Sequence, residues 1–175
     1  MKACLPALLL TLSLRAAAQS ADELYKRACG PVNAAFNVQL LDTELAKPQP
    51  PAAPEPGKAR VYFIQKEAEP TYTTRIGLDG SWVGVVLHDS YIAVAVEPGE
   101  HHACAATLNR KKREAELIHF TLEAGKTYYY LVHGVVGTGG QYGATYATML
   151  FGPVDSDEAL LLIASNPRSE ATPKP

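Results

Sequence analysis

The residues from Arg75 to Cys104 leave this chain few folds to adopt. Turn signals at Asp79-Gly80, His88-Asp89-Ser90 and Glu97-Pro98-Gly99-Glu100 separate short runs rich in β-branched and aromatic residues. The gaps are too short for a helical crossover, so successive runs must fold back on one another as antiparallel strands. Within Tyr91–Val96, residues Ile92, Val94 and Val96 share one face and Tyr91, Ala93 and Ala95 the other, which marks the core side. Pro98-Gly99 fits the centre of a type II turn, where proline presets φ and glycine accepts the positive φ that follows. His101–Leu108 returns with His102, Cys104, Ala106 and Leu108 on one parity.

The same pattern extends in both directions. Lys58–Ile64 is apolar on both parities, as expected of a central strand, and Tyr72–Leu78 is the next. Glu114–Leu122 turns Ile118, Phe120 and Leu122 inward, Ala124-Gly125-Lys126 makes a turn, and Thr127–Val136 is a strong β run. Gly137–Gly143 reads as a flexible hairpin loop before a last strand over Ala144–Phe151. A helix follows from Asp155, apolar on most sides over Leu160–Ile163 and stopped by Asn166-Pro167. With 175 residues, 47% hydrophobic and 19% charged, the chain has material for one core. The expected fold is mainly β: an antiparallel sandwich of about seven strands over residues 58–166, with a short N-terminal and a C-terminal helix.

Residues 1–18 have the form of a secretory signal peptide: Lys2, an apolar run from Leu5 to Leu14, and small residues at Ala16-Ala17-Ala18. The run is too short for a stable bilayer anchor. No cysteine directly follows the small residues, so no lipid anchor is expected, and a periplasmic or extracellular product is. Residues 19–46 hold a capping box, Ser20-Ala-Asp-Glu23, opening a helix that Gly30-Pro31 ends, and then an extended stretch around Phe36–Leu40. Residues 47–57 contain five prolines and read as an extended connector. Residues 167–175 read as a disordered tail.

No stretch carries a catalytic motif. Removing Lys2 and Arg15 with the leader takes the formal charge from −2 to −4, which offers nothing to a nucleic acid, and Arg110–Arg113 reads as a solvated hairpin tip. Adjacent His101 and His102 point to opposite faces of a strand, and neither a helical i, i+4 pair nor a Cys-x-x-Cys unit is present; only a cross-strand meeting such as His101 with His119 would build a metal site. The expectation is no metal and no cofactor. Gly137–Gly143 lacks the spacing and the following helix of a phosphate loop, and Ser81 lacks a G-x-S-x-G elbow. Asp79 and Asp89 read as turn residues. The one binding surface the sequence offers is aromatic: Trp82, Tyr128, Tyr130 and Tyr142, rings able to stack on sugars or anchor a partner if they face solvent.

Lys58-Ala-Arg-Val-Tyr-Phe-Ile64, Leu78-Asp-Gly80 with Val83-Gly84, Val96-Glu-Pro-Gly-Glu-His101 and Glu123-Ala-Gly-Lys-Thr-Tyr-Tyr129, in this order, resemble the bacterial envelope family called domain of unknown function 2846. The resemblance covers roughly residues 56–164. It implies an exported, prealbumin-like β-sandwich and transfers no catalytic residue. The expected role is a non-catalytic structural or interaction module whose partner is an envelope protein or a glycan; the alternative is a carbohydrate-binding module using the tyrosines and Trp82.

Export leaves two cysteines, Cys29 at the end of the first helix and Cys104 in a strand. An oxidising compartment and an even count predict one disulfide between them. It closes a loop of about 75 residues, worth roughly 4–5 kcal/mol at most in the chain-entropy model. Thiol titration of the denatured, unreduced, leader-free protein is expected to find no free thiol; two would exclude the bridge.

Overall fold

Side-chain alternation along two facing four-stranded sheets builds the core of the computed structural model, which describes residues 20–40, 51–66, 73–107, 115–139 and 144–174. The elements in order are α1 (Ala21–Ala28), β1 (Phe36–Leu40), β2 (Ala59–Lys66), β3 (Thr74–Leu78), β4 (Ser81–Val86), β5 (Ser90–Val96), β6 (Gly99–Thr107), β7 (Ala115–Leu122), β8 (Thr127–Gly139), β9 (Ala144–Pro153), α2 (Ser156–Ser165) and β10 (Ser169–Pro173). One sheet runs β5-β2-β8-β9 and the other β4-β3-β6-β7; β1 and β10 form a separate ribbon. The expected signal peptide and Tyr142 lie outside the described residues.

Val61 and Phe63 of β2, Ile76 of β3, Val86 of β4, Ile92 and Val96 of β5, Ala103 and Ala105 of β6 and Leu122 of β7 meet Tyr130, Val132, Met149 and Phe151 between the sheets. Each fully buried large side chain contributes about 1.5–3 kcal/mol. β2 is apolar on its other parity because α2 covers it there: Tyr62 and Ile64 pack against Ala159 and Ile163. The Asp155 carboxylate accepts from the Asp157 N–H at 2.8 Å and starts that helix. Its opposite side is not packed, however. Leu161 is 67% exposed, because a single helix lying on a sheet buries only one stripe.

The sandwich expected from the sequence is present, with eight strands in its two sheets and with three local differences. β2 and β8 pair in parallel, Val61 opposite Tyr128 and Phe63 opposite Tyr130. The reason is the Ala124-Gly125 turn, which delivers the chain from β7 in one sheet into β8 of the other at the end where β2 begins: the Gly125 N–H donates to Lys58 O at 2.8 Å and the Arg60 N–H to Lys126 O at 3.0 Å. Gly137, Thr138 and Gly139, expected in a loop, continue β8 opposite Tyr146, Thr145 and Ala144; glycine weakens a strand without removing its ladder hydrogen bonds. The C-terminal tail, expected to be disordered, forms β10, with Ala171 opposite Val38 and Glu170 opposite Gln39. Its polar composition gave no sign of this, because the partner strand lies 130 or so residues earlier in the chain and backbone pairing needs no apolar side chains.

The Cys29–Cys104 disulfide is formed, with Cα atoms 5.5 Å apart, inside the usual range for such bridges. It joins the end of α1 to the outer face of β6, where Ala28, Cys29, Cys104 and Ala106 are buried together. Gly77, opposite Cys104 on β3, makes the close approach possible: a Cβ there would lie 2.7 Å from Ala28 O and 2.9 Å from Cys29 Cα. Gly77→Ala is expected to push α1 off the sheet and lower stability by about 1–3 kcal/mol, as overpacking does. Chemical denaturation checks the loss, and limited proteolysis is expected to cut the α1 segment first; unchanged stability and protection would contradict the close packing.

Candidate functional site

Trp82 is not a free binding ring. It lies half-buried over the disulfide cluster, its Nε1–H donates to Pro31 O at 2.7 Å, and a Cβ on Gly30 would sit 2.4 Å from the indole. Arg75 stacks on it with the guanidinium carbon 4.5 Å from the ring centroid and donates from Nη1 to Val32 O and Ala34 O at 3.1 and 3.2 Å. Burial holds the Arg75 pKa below its ordinary value. Together these side chains fasten the segment between α1 and β1, since they satisfy carbonyls that have no strand partner.

The tyrosines of β8 are also used internally. Tyr130 is buried in the core and stacks on Phe120 and Phe63 at centroid distances of 4.6 and 5.9 Å. Tyr128 packs against the same core, and its hydroxyl accepts from the Glu123 N–H at 2.9 Å. Tyr129, on the other parity, lies under α2 against Tyr62 at 5.5 Å. The aromatic surface expected from the sequence is therefore not assembled by Trp82, Tyr128 and Tyr130, because the rings were needed to fill the sandwich and cover its disulfide.

The histidines of β6 divide as strand alternation requires. His101 points inward: Nδ1 is 2.7 Å from Asp79 Oδ2 and Nε2 is 2.8 Å from Glu97 O. Asp79, at φ 49°, also accepts from the His102 N–H through Oδ1 at 2.9 Å. It is thus a turn residue, as expected, and one that ties the β3–β4 turn to β6. The cross-strand partner of His119 is His102, not His101. Among the described residues, no three His, Cys, Asp or Glu side chains form a group able to hold a metal ion.

A groove of about 400 Å³ beside the first turn of α2 is a concave feature that sequence reasoning did not anticipate. Leu131 and His133 of β8 and Leu150 and Gly152 of β9 belong to its lining, with Asp155 and Glu158 on the helix side and Glu116 of β7 across the sheet edge. Space above Gly152 is open, since a Cβ there would touch nothing within 4 Å. The Nδ1 atom of His133 is buried without a hydrogen-bond partner, a condition that ordinarily costs about 1–3 kcal/mol. Glu158 is held by Lys66 Nζ at 3.2 Å, and Asp155 is occupied as helix cap. The site is thus a groove with leucine side chains in its lining and an acidic rim, a combination that suits binding, and the unsatisfied His133 nitrogen is buried rather than open to it. Among the described residues that line it there is no serine, threonine or cysteine. The only sequence signal for it was Gly152-Pro153 ahead of Asp155, a pattern shared with ordinary turns.

Comparison of the chain with family models, with curated proteins and with solved structures gives no match. The fold and the site define its class: a β-sandwich whose N-terminal arm is closed onto it by a disulfide and whose side carries a small groove. No helix among the described residues is long and apolar enough to cross a membrane.

Burial, with Tyr128 as a smaller cause, pushes the Tyr130 phenol up to about 12. An unfolded tyrosine ionises near pH 10, so the unfolded chain releases this proton first and stability falls as pH rises between about 10 and 12. Denaturation midpoints measured from pH 8 to 11 are expected to decline above about 10, and Tyr130→Phe to decline less; identical profiles would exclude Tyr130 as a source of the loss.

Proposed function

We propose that this chain is an exported, non-catalytic β-sandwich module of the bacterial cell envelope, acting as a structural or interaction protein. The groove over Gly152 carries the reading: it is an open, unfilled concavity with Leu131, Leu150 and Phe151 in its lining and an acidic rim of Glu116, Asp155 and Glu158, a shape that suits binding. A buried disulfide supports export, since such bridges persist in oxidising compartments. The resemblance to the domain of unknown function 2846 family supplies the envelope setting. The carbohydrate-binding reading is the weaker one, because Trp82 and Tyr130 are already engaged in packing.

Gly152→Val fills the groove at a strand position that tolerates a β-branched side chain. Affinity capture from envelope extract with the wild-type chain and this variant, at equal folded content by circular dichroism, is expected to retain a component that the variant releases. Equal retention by both proteins would reject the groove. Glycan-array binding that survives Gly152→Val and is lost on substitution of a tyrosine would favour the carbohydrate reading instead.

A further inference from the structure

We propose that His102 and His119, facing each other on the outer side of β6 and β7, form a pH-sensitive contact that loosens the last turn of α1 as the solution acidifies, while the Cys29–Cys104 bond keeps the helix attached. The last turn of α1 rests on the β3–β4 turn: a Cβ on Gly80 would lie 2.9 Å from Lys26 O and 3.8 Å from Arg27 O. Asp79 of that turn is fastened twice to the backbone of His102. Its Oδ1 accepts from the His102 N–H at 2.9 Å, and its own N–H donates to His102 O at 2.9 Å. The seat of the helix end and the His102 imidazole therefore belong to one residue pair. On the neighbouring strand His119 stands opposite His102, with ring centroids 4.8 Å apart.

Four charged or titratable groups act on the His102 ring: Arg27 from α1, Asp79 from the turn, Glu100 from its own strand and His119 from β7. Burial is the largest influence, and together with His119 and Arg27 it lowers the His102 pKa from its ordinary value; Asp79 and Glu100 oppose the shift without reversing it. The structure shows why the carboxylates lose. Asp79 is already engaged, with Oδ2 2.7 Å from His101 Nδ1 on the inner side of the strand. Glu100 is 79% exposed and lies 3.9 Å from His119 Nε2, so water and salt screen its charge. Lifting the helix end takes the Arg27 cation away from the ring and opens the ring to water. The lifted state then binds a proton more readily than the docked one, so docking is fully favoured above the ordinary histidine pKa and is lost as pH falls below about 6.5. Because Cys29 stays bonded to Cys104, the change is a local opening of the helix end and not the loss of the arm.

Amide hydrogen exchange of the oxidised, leader-free protein, corrected for the intrinsic pH dependence of exchange, is measured at pH 7.5 and 5.5. The Cys29 N–H, which donates to Tyr25 O at 2.7 Å, reports the last turn of α1, and the amides of β8 report the sandwich. Protection of the Cys29 amide is expected to fall severalfold at pH 5.5 while that of β8 is unchanged. His102→Gln is expected to abolish the fall, Arg27→Gln and His119→Gln to reduce it, and His88→Gln, at an exposed histidine on another turn, to leave it intact. His102→Lys, which places a permanent cation there, is expected to lower the protection of the last turn already at pH 7.5. A last turn equally protected at both pH values in the wild-type chain overturns the proposal, as does a fall of the same size in His102→Gln, which assigns the response to another group such as His101. Circular dichroism at pH 7.5 verifies the fold of each variant; if His102→Gln does not fold, Arg27→Gln, at an exposed helix residue, decides, and an undiminished fall there overturns the proposal.

Discussion

The Cys29–Cys104 bond is the constraint on which the N-terminal arm, residues 20–40, depends. α1 has eight residues, too few for a stable isolated helix, and its capping box, with the Glu23 N–H donating to Ser20 Oγ at 3.2 Å, holds only its first turn. The disulfide places its other end on β6, over Gly77, where a side chain would exclude it. From that anchor the chain has only a few residues before Arg75 and Trp82 take up the carbonyls of Pro31, Val32 and Ala34. The arm is thereby aimed so that β1 meets β10.

That meeting brings the arm that follows α1 and the last described strand together on one side of the sandwich. β10 lies near the β4 and β5 edges, and the bridge between Tyr91 and Arg168 continues the contact. Edge strands offer unpaired backbone groups to other chains, and covering them is a common protection. On the other side β7 and β9 end their sheets among the described residues, and there the groove is found. Among the described residues the two sides therefore differ: on one, β10 and the arm paired with it lie near the β4 and β5 edges, and on the other the β7 and β9 edges border the groove and its acidic rim.

The histidine pair on β6 shows how a single residue of register divides roles. His101 faces the turns and holds its two ring nitrogens at 2.7 Å from Asp79 Oδ2 and 2.8 Å from Glu97 O. His102, one residue later, faces outward and meets His119. The sequence showed that neighbours on a strand must part in this way. It did not show which of the two would meet His119, since that depends on how β6 and β7 are aligned.

By itself the sequence determined the sandwich, the turns at Asp79-Gly80, His88-Asp89 and Ala124-Gly125, the inward parities of β5 and β7, both helix starts and the cysteine pairing, because each is set by local periodicity, turn chemistry or a count of two. Tertiary structure decided the rest. The parallel pairing of β2 with β8 and the β1–β10 ribbon join residues far apart in the chain through backbone groups that every residue carries. The fate of Trp82, Tyr128 and Tyr130 followed from the same cause: a strand fixes which side a ring points to, but only the second layer, here a facing sheet or the docked α1 arm, decides whether that side is solvent. The groove at Gly152 arises where β9, α2 and the β7 edge fail to fill the space between them. Such a shape has no pattern in a sequence, since it is made by what several distant elements leave uncovered.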